Sequence, residues 1–320
     1  MKTVLYHSAD YDGIFCREIA RKFLGEEGVT YIGWNFGDPP LDPALLASPI
    51  VVMDLPLDAP FGLQFKDGWI CKDGNQTQPF DRWETGNITW IDHHATSIAT
   101  HPPTVPGYRI DGVAACRLAW QWFNWDKHAI NPPGIHATGV SLPEKQHYLD
   151  RLVTEPLAVR LAGEYDVWDH RGDGDLEFQF GLRTQPPNFG DLLDTTATAD
   201  SHTQDLVNIG AFAMAYQKTV DENAVKHRSF LMVWEGRRFL CLNTAQCNSN
   251  TFKALDVPET GHAGLLAFYW NGRVWTVSLY HAAHRKEVDL SIIAKKYGGG
   301  GHKGACGFTC GTIPFPLFAH

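Results

Sequence analysis

Short apolar runs alternate with amphipathic segments over the first 125 residues of the chain. The apolar runs, bounded by polar residues or glycine, predict β-strands at residues 3–7, 29–33, 49–53 and 87–91. Apolar side chains at helical spacing predict helices at residues 13–24 and 113–122. Strands that alternate with helices in this way predict an α/β fold with a mostly parallel sheet.

An insertion at residues 66–81 separates the third predicted strand from the fourth. Two Asp-Gly pairs flank the apolar tripeptide Trp69-Ile70-Cys71 in this insertion, and Asp-Gly is a strong signal for a tight turn between strands. We therefore predict a small antiparallel β excursion. The sequence leaves open whether this excursion is a lid, pairs two chains into a homodimer or is a decoration.

The middle of the chain carries signals for a loop, two helices and a linker. Residues 131–140, rich in Pro, Gly and His, predict a long surface loop. A helical pattern follows at residues 144–161, which Pro156 should kink or split. Thr, Ala, Ser and Asp make residues 195–202 the best candidate for a linker, and a connecting helix is expected at 205–227.

The remaining residues are richer in strand-like runs. They predict strands at residues 238–242, 264–269 and 274–279 and a short helix at 290–296. A chain of 320 residues is longer than one hydrophobic core usually supports, which is about 250 to 300 residues. We predict an N-terminal parallel-sheet domain, a linker with its connecting helix and a smaller C-terminal α/β domain, at residues 1–195, 196–227 and 228–320.

Charge is divided unevenly along the chain, whose net charge is −9. Residues 1–225 carry 16 Lys and Arg against 31 Asp and Glu, whereas residues 226–320 carry 11 against 5. An acidic first domain suits cations and a basic second domain suits an anion, although the two could also simply attract each other. No apolar run approaches the roughly 20 residues that span a bilayer, so we expect a soluble, cytoplasmic protein without a membrane partner.

Acidic and imidazole side chains follow three of the predicted strands. They are His7, Asp10 and Asp12 after the first strand, Asp54 after the third, and Asp92, His93 and His94 after the fourth. The carboxyl ends of parallel strands share one crevice, so these groups should converge there and hold a cation. Carboxylates and imidazoles without thiolates suit Mn²⁺, Mg²⁺ or Fe²⁺ better than tetrahedral zinc. A lone Asp after a strand is commonly a helix N-cap, which is the alternative role for Asp12.

The order of these motifs resembles the DHH phosphoesterase superfamily. Asp92-His93-His94, preceded by Trp90-Ile91, is similar to the signature of that superfamily. The other matching segments are His7 with Asp10-Tyr11-Asp12-Gly13, Asp54, Asp166 within residues 163–168, and the glycine run of residues 298–308, which resembles the GGGGH motif of the DHH-associated substrate-binding domain. The members that the chain resembles most are nanoRNases, which degrade short oligonucleotides.

The resemblance implies a site for two divalent metal ions, with Mn²⁺ favoured. His7, Asp10 and Asp54 would hold one ion, and Asp12, Asp54, His93 and Asp166 the other, with Asp54 as the bridge. Asp92 would orient an imidazole, since metal-bound histidines usually need such a partner. His94 would contact the phosphate or protonate the leaving group. Asp169 and His170 lie close to Asp166 in the sequence and are alternatives to it.

The glycine run near the C-terminus predicts an anion site. Consecutive glycines allow a left-handed backbone whose N–H groups can surround an anion, and the alternative is a flexible turn before a final strand. The candidate substrate-binding residues are Gly299, Gly300, Gly301, His302, Lys303 and Arg285. Related members often carry Arg after a Ser-Leu pair where this chain has Tyr280, so either Arg285 replaces that Arg, or Tyr280 stacks on a base, or the substrate differs.

These features predict a metal-dependent phosphodiesterase that hydrolyses short single-stranded oligonucleotides to mononucleotides. Long strands are disfavoured because they need an extended basic track. A second interpretation has the same chemistry with a smaller substrate: a linear or cyclic dinucleotide, a cyclic mononucleotide or a 3′,5′-bisphosphate nucleotide. A third interpretation is a non-catalytic nucleotide-binding module that has lost a metal ion. The sequence argues against it, because every acidic ligand position is filled.

Overall fold

The structure of the chain, a computed structural model, divides into two compact units, Met1–Ala213 and Met214–His320. The structure describes residues 2–42, 46–66, 69–72, 75–79, 88–101, 105–125, 136–137, 145, 153–172, 174–184, 187–245, 247, 249–252 and 261–316.

The first unit contains the strands and helices of the predicted α/β pattern. Its strands are β1 (Lys2–His7), β2 (Val29–Trp34), β3 (Ile50–Met53), β4 (Leu63–Lys66), β5 (Trp69–Lys72), β6 (Asn75–Pro79), β7 (Ile88–Ile91), β8 (Arg109–Ile110) and β9 (His136–Ala137). Its helices are α1 (Tyr11–Leu24), α2 (Ala95–Thr100), α3 (Ala115–Trp125), α4 (Leu157–Asp166), α5 (Asp175–Thr184), α6 (Phe189–Leu192) and the start of α7 (Ala197–Arg228).

The main sheet of this unit is parallel, with strand order β2-β1-β3-β7. Neighbouring residues of one strand enter opposite hydrophobic clusters: Val4 packs with α1 and α3, whereas Leu5 packs on the other face with Trp34 and Trp90. A strand that is covered on both faces needs a continuous apolar run, because its side chains point alternately to the two faces. This confirms the predicted α/β fold with a parallel sheet.

The insertion forms a second, antiparallel sheet of strands β4, β5 and β6. The predicted β excursion is therefore confirmed, while its two Asp-Gly turns lie outside the described residues. Most of the predicted loop at 131–140 also lies outside them, but His136–Ala137 pairs in parallel with Arg109–Ile110.

Helix α4 begins directly after Pro156, whose backbone is extended. Proline is compatible with the start of a helix and not with its interior, and the predicted helix therefore does not continue through this residue. Before Val153, the predicted helix at 144–161 lies outside the described residues apart from Lys145.

The connecting helix predicted at residues 205–227 is present as α7, but it begins at Ala197, so most of the residues predicted as linker, 195–202, are helical. The hydroxyl oxygen of Thr196 accepts a hydrogen bond from the backbone N–H of Ala199 at 3.3 Å, which caps the helix start. Ala199 and Leu206 are buried, so the first turns of α7 are also fixed by packing. The division between the two units falls inside this helix.

The second unit is built on one mixed sheet. Its strands are β10 (Phe230–Trp234), β11 (Arg237–Asn243), β12 (Gly264–Trp270), β13 (Trp275–His281), β14 (Gly300–His302) and β15 (Ala305–Cys310), in the order β10-β11-β12-β13-β15-β14. Only β11 and β12 pair in parallel among these described strands. Helix α8 (Ser291–Lys296) packs on one face through Ile293, and Val225 of α7 packs on the other. Along the described parts of the chain, no helix combines the length and apolar character needed to cross a membrane.

Candidate metal centre

The predicted ligand residues lie together at the carboxyl end of the parallel sheet. His7 ends β1, and Asp54 and Asp92 directly follow β3 and β7. Asp10 and Asp12 stand at the start of α1, and Asp166 is the last residue of α4. Ligand atoms of three triads each fall within 4.8 Å of one another: His7, Asp10 and Asp54; Asp12, His93 and Asp166; and Asp54, His93 and His94.

The first triad is organised around the His7 imidazole. Its Nδ1 lies 2.9 Å from Oδ2 of Asp10 and 3.4 Å from Oδ2 of Asp54. Asp10 is also the N-cap of α1, because its Oδ1 accepts a hydrogen bond from the backbone N–H of Gly13 at 3.0 Å. The N-cap role that was the alternative for Asp12 therefore belongs to Asp10, which combines it with a place in the triad.

The second triad surrounds Nε2 of His93. This atom lies 3.6 Å from Oδ2 of Asp12 and 3.4 Å from Oδ2 of Asp166. It also lies 3.4 Å from Oδ1 of Asp54. Asp169 and His170, the sequence alternatives to Asp166, are engaged elsewhere, since Asp169 pairs with Arg171 and His170 with Asp175.

Asp54 stands between the two triads. Its Oδ2 faces His7 and its Oδ1 faces His93, so one carboxylate serves both groups. The residue is 2% exposed and has a left-handed backbone with φ of 56°, which is uncommon for a residue other than glycine. Such backbone strain clusters at functional sites, where the surrounding structure holds the residue in place.

Asp12 is buried and held by the start of helix α3. Its Oδ2 and Oδ1 accept hydrogen bonds from the backbone N–H groups of Ala115 and Cys116, at 2.9 and 2.7 Å. These N–H groups belong to the first turn of α3, where they have no partner within the helix. The sequence analysis missed both donors, and the only signal for them was the predicted start of a helix near residue 113.

Gly13 sets how closely α1 approaches the end of β1. A Cβ atom at this position would lie 1.8 Å from the carbonyl oxygen of His7. Only glycine therefore allows the helix to begin where it does, with Asp10 and Asp12 beside His7.

Asp92 positions His94. The fully buried Asp92 carboxylate accepts a hydrogen bond through Oδ1 from the backbone N–H of His93 at 2.8 Å. The same oxygen lies 2.7 Å from Nδ1 of His94, so this ring nitrogen must carry the proton. The hydrogen bond to Asp92 raises the pKa of the His94 imidazole, which favours its protonated, proton-donating form.

The charges of the cluster are strongly interdependent. The hydrogen bond to Asp10 and the nearby Asp54 raise the pKa of His7 to about 10. Burial lowers the pKa of His93, but Asp54, Asp12 and Asp166 outweigh it and raise that pKa to about 10. Without metal, the protonated imidazoles are thus the positive charges between the carboxylates.

The carboxylates respond in opposite directions. Burial, which outweighs the attraction of His93, raises the pKa of Asp166 to about 6. Burial and the charges on Asp54 and Asp166 also raise the pKa of Asp12 well above its ordinary value. For Asp54 burial acts in the same sense, but the two imidazoles of His7 and His93 hold its pKa below the ordinary value.

The arrangement fits divalent metal ions. Among the described residues, the buried Oδ2 of Asp54 accepts no hydrogen bond, although a buried carboxylate oxygen is costly to leave without one. A cation between the triads would satisfy this atom. The donors are carboxylate oxygens and imidazole nitrogens without a thiolate, which is the set preferred by Mn²⁺, Mg²⁺ and Fe²⁺.

The glycine run does not form the loop that was expected. Gly300–His302 is strand β14, and the N–H groups of Gly298 and Gly299 donate to carbonyl oxygens at the end of α8. A Cβ on Gly299 would lie 2.0 Å from the carbonyl oxygen of Gly307, and one on Gly301 would lie 2.7 Å from Cα of Cys306. Close packing against β15 is therefore a sufficient reason for these two glycines.

The other candidate substrate-binding residues differ in what they already contact. His302 and Lys303 are exposed. Nε of Arg285 donates to Oε1 of Glu287 at 2.5 Å, so its charge is paired. Tyr280 is half-buried, and its hydroxyl donates to the carbonyl oxygen of Cys247 at 3.1 Å, which does not suit a base-stacking platform.

A cavity of about 340 Å³ lies beside the metal centre in the first unit. Asp10, Asp12 and Asp166 line it together with Tyr165, Gln179 and Arg183, among other residues. The sequence analysis missed Gln179 and Arg183, because both lie within an ordinary amphipathic helix and follow no motif.

No family model matches the sequence, and no curated protein matches it. Solved structures do match. The chain is similar to PggH, a pGpG-specific phosphodiesterase from Vibrio cholerae, with 13% identity, coverage of 97% of this chain and 93% of that chain, and a TM-score of 0.42. It is similar to the DHH domain of a member of a family of ribosomal proteins, with 14% identity, coverage of 97% and 82%, and a TM-score of 0.46. It is also similar to exonuclease RecJ bound to manganese, with 12% identity, coverage of 97% and 86%, and a TM-score of 0.45.

At identities of 12% to 14%, the function of this chain has to be inferred from the residues of its site.

Proposed function

We propose that this chain is a two-metal phosphodiesterase that hydrolyses short single-stranded oligonucleotides to mononucleotides. The observation that carries this proposal is the position of Asp54, whose two carboxylate oxygens face different His/Asp triads. A carboxylate placed in this way is suited to bridge two divalent ions. Paired ions of this kind are typical of phosphatases and nucleases.

Six residues would supply the ligands. His7, Asp10 and Asp54 hold one ion, and Asp12, Asp54, His93 and Asp166 hold the other. When bound, two such ions activate a water molecule and stabilise the negative charge on the phosphoryl oxygens. Mn²⁺ is the proposed ion because the donors mix carboxylates with imidazoles, which suits manganese better than magnesium.

His94 is the proposed proton donor to the leaving oxygen. Asp92 holds Nδ1 of His94, which leaves Nε2 as the ring nitrogen directed to a substrate. The His94 side chain is half-exposed, so a substrate can reach it. Because Asp92 favours the protonated imidazole, the pair provides an acid near the ions that is separate from the proposed ligands.

The substrate is proposed to be short because the net positive charge is small and is confined to the C-terminal part of the chain. Residues 226–320 carry 11 Lys and Arg against 5 Asp and Glu, and the rest of the chain is strongly acidic. A long strand needs many phosphate contacts along an extended basic track. Exposed His302 and Lys303 are the proposed contacts for a terminal phosphate, in addition to the backbone of Gly300 and Gly301, because the N–H of Gly299 already donates to Ala294. Arg285 is a further candidate once it is released from Glu287.

Release of mononucleotides by the metal-depleted protein, re-supplied with Mn²⁺, tests the proposal. The substrates are end-labelled RNAs of two, five and twenty-four nucleotides, beside cyclic AMP and a 3′,5′-bisphosphate nucleotide. Faster hydrolysis of the two short RNAs supports an oligoribonuclease. Hydrolysis of only the small nucleotides would assign the chain to those substrates instead, and Mn²⁺ binding without any hydrolysis would indicate a binding module.

Three variants make the assay specific. Asp54→Ala should abolish hydrolysis, because both ions lose the carboxylate that they share. His302→Ala should mainly raise KM for the short RNAs. Asp200→Asn, on the exposed start of α7, removes a carboxylate far from any triad in the sequence and serves as the control.

A further inference from the structure

We propose that the cavity beside the metal centre binds a nucleobase of the substrate, with Gln179 contacting the edge of the base and Tyr165 and Arg183 its face. This inference rests on the proposed function and adds the part of the substrate that the metal triads do not contact.

The position of the cavity relates it to the reacting phosphate. Its wall includes Asp10, Asp12 and Asp166, which are also members of the two triads. A group in the cavity is therefore a direct neighbour of a phosphate at the centre. The volume of about 340 Å³ lies at the lower end of the range of roughly 300 to 1,000 Å³ for small-molecule pockets. That size suits a single nucleoside rather than a length of strand.

Gln179 is the feature that points to a ligand. The residue is 2% exposed and lines the cavity, and its amide atoms are not among the fully buried polar atoms that lack a partner, so what little of the residue is exposed opens onto the cavity. An amide that faces a cavity can exchange water for a ligand that offers matching hydrogen bonds. The amide offers both a donor and an acceptor, which matches the adjacent acceptor and donor groups on the edges of nucleobases. A phosphate, which only accepts hydrogen bonds, would leave the amide oxygen unused.

Tyr165 and Arg183 provide flat surfaces beside this amide. The Arg183 guanidinium lies 5.8 Å from the centre of the Tyr165 ring, and its Nη2 donates to the Tyr165 hydroxyl at 3.3 Å. The two planar groups thus support each other. Aromatic rings and guanidinium planes are the groups on which single-stranded bases stack.

The aromatic surface continues outward from the cavity. Trp168 is 70% exposed and stacks on Tyr165, with ring centres 6.3 Å apart and an angle of 24° between the planes. Its backbone has φ of 56°, a conformation that a large residue rarely adopts. The chain therefore exposes an indole to solvent two residues after Asp166. The strained backbone costs conformational free energy, which is typical of residues with a role in binding.

The charges of the cavity favour a neutral group over a second phosphate. Three carboxylates on one wall, those of Asp10, Asp12 and Asp166, repel an anion that is not matched by a metal ion. Arg183 is the one cation among the described residues that line the cavity, and it is exposed and turned against Tyr165. A base is neutral and stacks on both.

Binding of products to the Mn²⁺-loaded protein separates the base from the phosphate. Calorimetry would compare AMP, GMP, CMP and UMP with ribose 5-phosphate, which has the same phosphate and sugar but no base. The wild-type chain should bind at least one nucleoside monophosphate about tenfold or more tightly than ribose 5-phosphate, the size expected for one stacked base. Equal binding of ribose 5-phosphate and all four nucleotides would overturn the inference.

Two variants assign the effect to the cavity. Gln179→Leu removes the amide at similar size, and Arg183→Met removes the guanidinium from an exposed position. Both should lose most of the preference for nucleotides and keep the affinity for ribose 5-phosphate. Gln204→Leu, at an exposed site on α7, is the matched control and should keep the preference. Thermal unfolding of each variant shows whether it is folded.

Dinucleotides that lack one base provide the corresponding kinetic test. Removal of the base that occupies the cavity should lower kcat/KM for the wild-type chain and leave it nearly unchanged for Gln179→Leu. If the loss of each base changes kcat/KM by the same factor in the wild-type chain and in Gln179→Leu, the cavity does not bind a base. If the wild-type chain hydrolyses no dinucleotide, the proposed function is refuted. The calorimetry would still show whether the cavity binds a base.

Discussion

Oδ1 of Asp92 lies 2.7 Å from Nδ1 of His94, and the two residues are joined by a hydrogen bond that fixes which ring nitrogen is protonated. Asp92 belongs to none of the candidate metal-binding triads, and its side chain contacts the site through the His94 ring and through the backbone N–H of His93.

Asp92→Asn should therefore separate turnover from metal binding. The amide keeps the shape of the side chain but removes the charge that favours the protonated His94. We expect kcat to fall about 10- to 100-fold, the loss typical for a residue that orients a ligand or a catalytic imidazole. The number of Mn²⁺ ions bound per chain should not change. Loss of metal from this variant would show that Asp92 supports the centre rather than His94.

Metal binding should release protons. The pKa values of His7 and His93 are raised to about 10 in the metal-free chain, so both imidazoles carry a proton at neutral pH. A metal ion needs the neutral imidazole, and binding must displace these protons. The apparent affinity for Mn²⁺ should rise from pH 6 to pH 8, with release of at least about two protons per loaded chain, because the raised pKa values of Asp12 and Asp166 can add to the two from the histidines. Calorimetry in buffers of different ionisation enthalpy measures this number, and no proton release would contradict the assignment of both histidines.

Asp166→Asn should stabilise the metal-free protein. The pKa of Asp166 is raised from 3.8 to about 6, so its ionised form disfavours folding, and this cost grows as the pH rises from 4 through 6. In the presence of a chelator, the variant should gain about 1 to 3 kcal/mol in free energy of unfolding at pH 8 and little at pH 4. It should also lose the stabilisation by Mn²⁺. Asp200→Asn is the control, and lower stability of Asp166→Asn at pH 8 would contradict the prediction.

Gly13→Ala should destabilise the chain and disturb the first triad. The added Cβ would meet the carbonyl oxygen of His7, so the start of α1 must shift. We expect a loss of about 1 to 3 kcal/mol in free energy of unfolding, the usual cost of overpacking, together with weaker Mn²⁺ binding. Gly311→Ala adds the same methyl group in open space and should change neither quantity. Equal denaturant midpoints for the two variants would show that α1 tolerates the shift.

The parallel sheet and its cluster of ligands could be predicted because both depend on short-range patterns. Apolar runs at β1, β3 and β7 predict buried strands, and parallel strands bring their carboxyl ends together whatever lies between them. His7, Asp54 and His93 therefore meet as expected. The same reasoning does not reach the backbone donors to Asp12, which depend on how α3 packs about 100 residues away in sequence.

Other features misled the sequence analysis for physical reasons. Thr, Ala, Ser and Asp are common in linkers, but the same residues cap and continue a helix once Ala199 is buried, as at the start of α7. A glycine run is compatible with an anion loop and with close strand packing, and only the contact of Gly299 with Gly307 distinguishes the two. Gln179 carries no local signal, because its place in the cavity wall depends on how α5 packs beside α1 and α4.

The most direct test is the number of Mn²⁺ ions bound per chain by the wild-type protein and by Asp54→Asn, measured by metal titration with Asp200→Asn as the control. Asp54 faces both triads, so the wild-type chain should bind two ions and Asp54→Asn fewer than two, with loss of hydrolysis. A wild-type chain that saturates at one ion, or an Asp54→Asn variant that still binds two with unchanged affinity, would contradict the bridged two-metal centre.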